Sequence, residues 1–269
     1  MGEHSGEAVY LRENVTYLYD GSFEGMLCCI FEAFARRERP SAISTGEARQ
    51  ISLFEERWVE SLPIRANRVF NGLTQKIGPG AARLVRILYL SEQPEKELIA
   101  LDFVRRAFQV GRGVTAMRGD PAVASASSAV ERALAEAHKY KGLLRFSDVG
   151  GVLVAEIEPK NRVLPLLAAH FCGRYRNEAF LVYDQVHKEA LIWQDRTLRF
   201  EAVDNLTLPP VTGEEQETRR LWRQFYKTIA IKARENPRCR QTNMPKRYWN
   251  LLTEMQPEET EMPGLPAVR

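Results

Sequence analysis

The sequence predicts an α+β protein with a mainly helical N-terminal half, an antiparallel sheet with a covering helix, and a long basic C-terminal helix. Apolar residues recur at helical spacing through the first half, β-rich runs follow Gly142, and a late segment interleaves aromatic residues with Arg and Lys. With 269 residues, 44% of them hydrophobic, the chain can form one large domain or two small ones. The predicted parts are a flexible N-terminus (1–14), a mainly helical part (15–142), an α+β part with the basic helix (143–254) and a disordered tail (255–269).

The helical half is expected to open with one strand, "VTYLYD" (15–20), which is β-branched and aromatic. Ser22 is expected to cap a helix that ends at about Arg37. The stretch "RPSAISTGEARQ" (39–50) predicts a loop, followed by short strand-like pieces.

Four further helices are expected before Gly142. They are "IRANRVFNGLTQKI", "AARLVRILYL", "EKELIALDFVRRAF" and the segment that opens at Asp120-Pro121. Asp120 is a favoured cap residue and Pro121 suits the first helical position. Gly142 is expected to stop the last of these helices near Tyr140.

The β-rich runs predict the sheet. They are "LLRF" (143–146), "GVLVAEIE" (151–158), "AFLVYDQ" (179–185) and "EALIWQD" (189–195). A helix, "NRVLPLLAAHFCGRY" (161–175), separates the second run from the third. The basic helix is expected to run from about Glu214 to Arg234.

Composition argues against several classes of protein. No apolar run approaches the roughly 18 residues that a membrane span needs, and no secretion signal is visible. The four cysteines form no CxxC pair and lie at no zinc-ligand spacing. We therefore expect a cytoplasmic protein with no cofactor, no metal and no membrane partner, whose adjacent Cys28 and Cys29 are core residues.

Positive charge is concentrated near the C-terminus. Residues 219–247 contain ten Lys or Arg and one acid, a net charge of +9; because the whole chain carries +3, the rest sums to −6. On a helical wheel Leu221, Trp222, Phe225 and Ile229 fall on one side, which we expect to pack. Cations with interleaved aromatics suit a phosphate backbone and its bases. The predicted nucleic-acid-binding residues are Arg220, Arg223, Lys227, Arg234, Arg238, Arg240, Lys246, Arg247, Tyr248, Trp249, Lys139 and Lys141.

A second candidate site lies in "EAHKYKGLLRFSD" (136–148). His138 and Lys139 near a helix C-terminus complement the helix dipole, which is a purely structural explanation. Arg145, expected inside an apolar strand, needs a carboxylate, phosphate or carbonyl partner if it is buried. If the protein is an enzyme, His138 is the candidate acid or base and Arg145 would hold a phosphate or oxyanion.

Four stretches, at 17–34, 136–148, 170–184 and 221–254, together resemble a bacterial family of unknown function labelled as probable DNA metabolism proteins. "EAHK…RF" and "NPR…MPKRYW" are the most specific parts. The resemblance implies association with a putative radical-SAM protein of DNA modification or repair. In some relatives the domain is joined to a uracil-DNA-glycosylase-like domain. It implies no catalytic residues.

The sequence therefore predicts a DNA-metabolism or DNA-repair accessory protein that binds DNA, a radical-SAM partner, or both through the basic helix. Two alternatives stay open: a DNA-acting hydrolase that uses His138 and Arg145, and a protein–protein adaptor. Whether the chain is an enzyme, which lesion, base or strand it prefers, and its oligomeric state do not follow from the sequence.

Overall fold

A computed structural model describes residues 11–46 and 54–256 of the chain. The chain divides into two compact units, Met1–Ala133 and Leu134–Arg269. Both contain helices and a sheet, so the α+β class is confirmed. Most of the segments predicted to be a flexible N-terminus and a disordered tail lie outside the described residues.

The first unit contains a three-stranded parallel sheet in the order β2-β1-β3. The strands are β1 (Leu11–Tyr19), β2 (Glu38–Thr45) and β3 (Glu55–Trp58). The predicted loop from residue 39 was wrong, because β2 covers its first part. Pro40 and the small polar residues suggested a turn, but β2 is an edge strand, where proline is tolerated and pairing with β1 decides the conformation.

Among the described residues, four α-helices lie wholly within the first unit: α1 (Phe23–Arg36), α2 (Pro63–Gly72), α3 (Pro79–Tyr89) and α4 (Lys96–Val110). A π-helical turn, Leu73–Ile77, extends α2. The Ser22 cap is confirmed, since the Gly25 N–H donates to its Oγ at 2.9 Å. Cys28 and Cys29 are buried in α1, as expected for core residues.

Helix α5 (Pro121–Leu143) begins where the sequence predicted. The N–H groups of Ala122 and Val123 donate to Asp120 Oδ1 at 3.0 and 3.4 Å, which confirms the Asp120 cap. The helix continues through Gly142 and ends at Leu143, slightly beyond the expected end.

The second unit contains a five-stranded sheet in the order β4-β5-β6-β7-β8. Its strands are β4 (Ser147–Val149), β5 (Val152–Ile157), β6 (Phe180–Asp184), β7 (Glu189–Gln194) and β8 (Thr197–Ala202). The sheet is mixed rather than antiparallel, because β5 and β6 pair in parallel. Helix α6 (Leu164–Arg174) makes the crossover that such a pair requires.

The predicted strand "LLRF" was wrong. Leu143 ends α5, residues 144–146 form no strand, and β4 starts at Ser147. The apolar side chains of this stretch nevertheless pack against the core of the unit, which includes Tyr140, Phe171, Phe180, Leu191 and Tyr248. Burial without a ladder partner explains the false strand signal.

After the sheet comes α7 (Gly213–Ile229), a 3-10 turn (Lys232–Arg234), α8 (Pro237–Asn243) and two more 3-10 turns, Lys246–Leu251 and Thr253–Met255. The basic helix therefore ends at Ile229, short of the expected Arg234. Within residues 11–46 and 54–256, no helix is long and apolar enough to cross a membrane.

Candidate nucleic-acid interface

Arg145 lies between α5 and β4 and is partnered from within the second unit. Its Nε and Nη2 donate to the Glu254 carboxylate at 3.2 and 2.6 Å, and its Nη1 donates to the carbonyls of Gly142 and Leu144. The guanidinium also lies 5.5 Å from the ring of Trp222, whose indole N–H donates to Glu254 at 2.9 Å. The anion that Arg145 contacts is therefore the carboxylate of Glu254, which belongs to the same unit.

The Glu254 carboxylate is nearly inaccessible, with 1% of the side chain exposed. Burial by itself would raise its pKa, but the hydrogen bonds from Arg145 and Trp222 outweigh burial and hold the pKa below its usual value. The carboxylate is therefore ionised in the folded protein near neutral pH, and it joins α7 to the residues around β4.

This ion pair predicts a dependence of stability on pH. Because the folded-state pKa of Glu254 is depressed, its contribution is present above the unfolded pKa of about 4.3 and is lost as pH falls through the folded pKa. We expect Glu254→Gln to be less stable than the wild type at neutral pH, and the difference to shrink on acidification below about pH 4. Urea unfolding followed by circular dichroism at several pH values measures this.

Glu217→Gln is the matched control. Glu217 is exposed and pairs with Arg220 on the surface of α7, so solvent screens its interaction. A gap between wild type and Glu254→Gln that stays constant as pH falls would show that the carboxylate charge is not what stabilises this contact.

Arg145 also lines a cavity of about 430 Å³, together with Glu215 and Arg219. The Arg219 Nε donates to Glu215 at 2.9 Å and its Nη2 donates to the Ser147 hydroxyl at 2.7 Å. Both arginines of the cavity are thus engaged by carboxylates. His138 is exposed on α5 and is not among the residues that line this cavity. The cavity does not bring the two candidate catalytic residues together.

Helix α7 contacts its own unit through Trp222 and the polar side chains beside it, and not through the rest of the predicted apolar face. Leu221, Phe225 and Ile229 are 53%, 52% and 57% exposed, so the predicted packing face was wrong for these residues. Inward contacts come instead from polar groups: the Arg223 Nε donates to the carbonyl of Thr253 at 3.1 Å, beside the Trp222–Glu254 bond. Apolar periodicity correctly predicted that these side chains share one side of α7, but it did not show that most of them face solvent.

The C-terminal groove is a cavity of about 650 Å³ formed by the end of α7, the following turn and α8. Lys227, Arg234 and Arg240 line it and are all exposed, with one acid, Glu235, among the lining residues. Polar and aromatic lining residues that the sequence did not single out are Tyr226, Asn236 and Asn243. In the sequence these residues stand beside the cations in "FYKT" and "ENPRCRQTN", and this proximity is the signal that could have identified them as groove residues.

Trp249 lies between the groove and the core. Arg240 and Lys246 lie 5.5 and 6.0 Å from its ring centroid, and its indole N–H donates to the carbonyl of Met244 at 2.9 Å. Cation–π contacts at exposed sites are each worth about 0.5–1 kcal/mol. Trp249 therefore positions two of the predicted binding residues.

Other predicted binding residues have internal roles. Tyr248 is 2% exposed and packs edge-to-face on Tyr140, so it belongs to the core. Arg247 donates to the buried Glu136 carboxylate at 2.8 Å and to the Tyr248 hydroxyl. Arg220 is not internal: it forms a two-pronged ion pair with Glu217 on the exposed surface of α7.

The remaining candidates are at the surface. The Lys139 ammonium lies 3.5 Å from the carbonyl of Thr242, which links α5 to α8. Lys141 and Arg238 are exposed. Sequence reasoning thus found the cations of the C-terminal groove, but it also included residues that hold the fold together.

A family model described as "Domain of unknown function (DUF4130)" matches residues 94–254, more than half of the chain. The chain belongs to the DUF4130 family. The DUF4130 region contains α5, the five-stranded sheet, α7, α8 and the C-terminal groove. Residues 17–34, which contributed to the expected resemblance, lie outside it. No curated protein matches the chain.

Proposed function

We propose that this protein is a DNA-metabolism accessory protein that binds DNA through the C-terminal groove. The observation that carries the proposal is the set of exposed cations on the groove walls, Lys227, Arg234 and Arg240. Phosphate contacts from Lys and Arg supply most of the sequence-independent affinity for nucleic acid.

The local charge supports this reading. Residues 219–247 carry +9, of which Arg219, Arg220 and Arg247 are paired with carboxylates. The groove cations come from three successive elements, so they present charge from more than one direction. Such an arrangement suits a flexible phosphate backbone better than a single planar anion.

DNA as the nucleic acid, and a radical-SAM repair protein as partner, are the parts of the proposal that rest on the family resemblance. The exposed side chains of Leu221 and Phe225 on α7 lie outside the groove lining and offer an apolar surface for such a protein. Co-purification with the partner after nuclease treatment separates the two contacts.

The hydrolase alternative gains no support from the geometry. The Arg145 guanidinium is engaged by Glu254, and His138 lies outside the cavity that Arg145 lines. The adaptor alternative shares the groove with the leading proposal and differs in the chemistry of the occupant, so the same variants test both.

Fluorescence anisotropy with a labelled DNA oligonucleotide, single- and double-stranded, tests the proposal. If the three groove cations each neutralise one phosphate, the logarithm of affinity should fall by about 2.7 for double-stranded and about 2.1 for single-stranded DNA for each tenfold rise in salt. Lys227→Glu with Arg240→Glu should weaken binding by about 100-fold or more, since two attractive contacts become repulsive.

The matched control reverses two exposed arginines of the first unit, Arg83→Glu with Arg112→Glu. It changes the net charge by the same amount and leaves the groove intact. Equal loss of affinity in the two double variants would mean that only net charge matters. Undiminished binding in the groove variant would exclude the groove as the site.

A further inference from the structure

Strand β8 is an exposed edge of the five-stranded sheet. All six of its residues are exposed, and among the described residues it pairs with β7 alone. Leu198 and Phe200 are 38% and 46% exposed, on the face where their cross-strand neighbours Trp193 and Leu191 meet the core. The opposite edge strand, β4, has only three residues.

Natural edge strands are usually protected against pairing by shortness, proline, bulges or inward-pointing charges. The segment "TLRFEA" contains no proline, and its register with β7 runs without a bulge. The β7–β8 turn is tight, with Asp195 and Arg196 both at positive φ, 51° and 58°. The edge charges, Arg199 and Glu201, are opposite in sign, so a regular edge of this length is suited to receiving a strand that pairs them.

The outward backbone groups can be assigned from the ladder. Val203 N–H donates to the Lys188 carbonyl at 2.8 Å, and the two-residue turn makes Gln194 and Thr197 the closing pair. Hydrogen-bonded pairs alternate along an antiparallel ladder, so the odd-numbered residues of β8 bond to β7. The N–H and C=O groups of Leu198, Phe200 and Ala202 therefore point to the free edge.

A second copy of β8 fits this edge in one antiparallel register. Placing Phe200 opposite Phe200 of the partner subunit sets Leu198 opposite Ala202 of the partner subunit, and each of these pairs can form two backbone hydrogen bonds. The same register sets Arg199 opposite Glu201 of the partner subunit in the closer, non-hydrogen-bonded pairs.

The two neighbouring registers are unfavourable because each sets like charges opposite one another. A slip in one direction sets Arg199 opposite Arg199 of the partner subunit, and a slip in the other sets Glu201 opposite Glu201 of the partner subunit. Both slips also lose one of the three outward backbone pairs. The register with most hydrogen bonds is thus also the one with opposite charges paired.

We propose that β8 is a self-complementary dimerisation strand, which joins two copies of the chain into one ten-stranded sheet about a two-fold axis at Phe200. The interface is isologous, so it closes after two copies. Because two six-residue strands bury less than the roughly 1,200 Å² of a standard stable interface, the dimer should dissociate in the micromolar range.

Sedimentation equilibrium of the full chain across micromolar concentrations tests the proposal. Arg199→Glu and Glu201→Arg should each weaken the dimer by about tenfold or more, because each places two like-charged pairs across the axis. The combined swap, Arg199→Glu with Glu201→Arg, should restore wild-type association, since opposite charges again face each other.

A backbone test uses Phe200→Pro against Phe200→Ala. Both remove the ring, and only proline removes the outward N–H, which the β7 ladder does not use. We expect Phe200→Pro to be monomeric and Phe200→Ala to retain weak dimerisation. A wild type that is monomeric at every concentration, or a dimer that neither the charge variants nor Phe200→Pro affects, would overturn the proposal.

Discussion

Replacing Glu136 by alanine is expected to lower the free energy of unfolding of the second unit by about 3–5 kcal/mol. Glu136 lies on α5 with 4% of its side chain exposed, and its carboxylate accepts four hydrogen bonds. They come from the N–H groups of Lys160 and Asn161 (3.0 and 2.8 Å), the Asn161 amide (2.6 Å) and Arg247 (2.8 Å).

The reason for the large effect is that alanine leaves those donors without an acceptor, and the Arg247 charge without its carboxylate. Denaturant unfolding monitored by circular dichroism measures the loss. Arg247 precedes the core residue Tyr248, so this variant should also loosen the 3-10 turn from Lys246 to Leu251 and raise its rate of hydrogen exchange.

Glu131→Ala is the control, because it removes a glutamate from the same helix. Glu131 and its partner Arg118 are 60% and 68% exposed, and such surface pairs contribute between zero and about 1 kcal/mol. If the two alanine variants unfold at the same denaturant concentration, the Glu136 contacts do not stabilise the unit.

Gly25→Ala is expected to destabilise the first unit by about 2 kcal/mol. Gly25 lies in the first turn of α1, where an added Cβ would sit 2.4 Å from Asp20 Oδ1, 2.6 Å from Ser61 Oγ and 2.7 Å from the Tyr19 ring. The ring cannot yield, because Tyr19 is 1% exposed and its hydroxyl donates to Glu97 at 2.8 Å. The thermal unfolding midpoint reports the change.

Gly80→Ala should have the opposite sign. Gly80 lies in the first turn of α3 with nothing within 4 Å of an added Cβ, so alanine should stabilise the helix by up to about 1 kcal/mol through its better propensity. A Gly25→Ala protein as stable as the Gly80→Ala protein would mean that α1 shifts to admit the methyl group.

Local signals predicted the elements that local chemistry controls. Ser22 and Asp120 were identifiable as helix caps because a cap depends on a few adjacent residues. The strands β5, β6 and β7 were identifiable from apolar, β-branched runs. The parallel pairing of β5 with β6 depends on the crossover through α6, and the strand conformation of β2 depends on its pairing with β1. Neither dependence can be recognised from the residues of the strand alone.

The candidate site was predicted in part for the same reason. Charge clustering located the groove cations, since exposure is the usual state of Lys and Arg. It could not separate them from Arg145, Arg223 and Arg247, whose partners are Glu254, Thr253 and Glu136. Glu254 follows Arg145 by more than a hundred residues, so only the folded chain reveals the pair.

The outward apolar side of α7 has a consequence for how this helix melts. Of its residues only Glu215 is buried, so tertiary packing contributes little to its helicity. Its order rests on the Thr212 cap, the acids of the first turn, the spaced ion pairs and the contacts of Trp222 and Arg223. The final turn, which forms one wall of the groove, follows the Trp222 and Arg223 contacts in the chain. If an anion bound there orders the helix end further, the entropic cost of that ordering would offset part of its binding enthalpy.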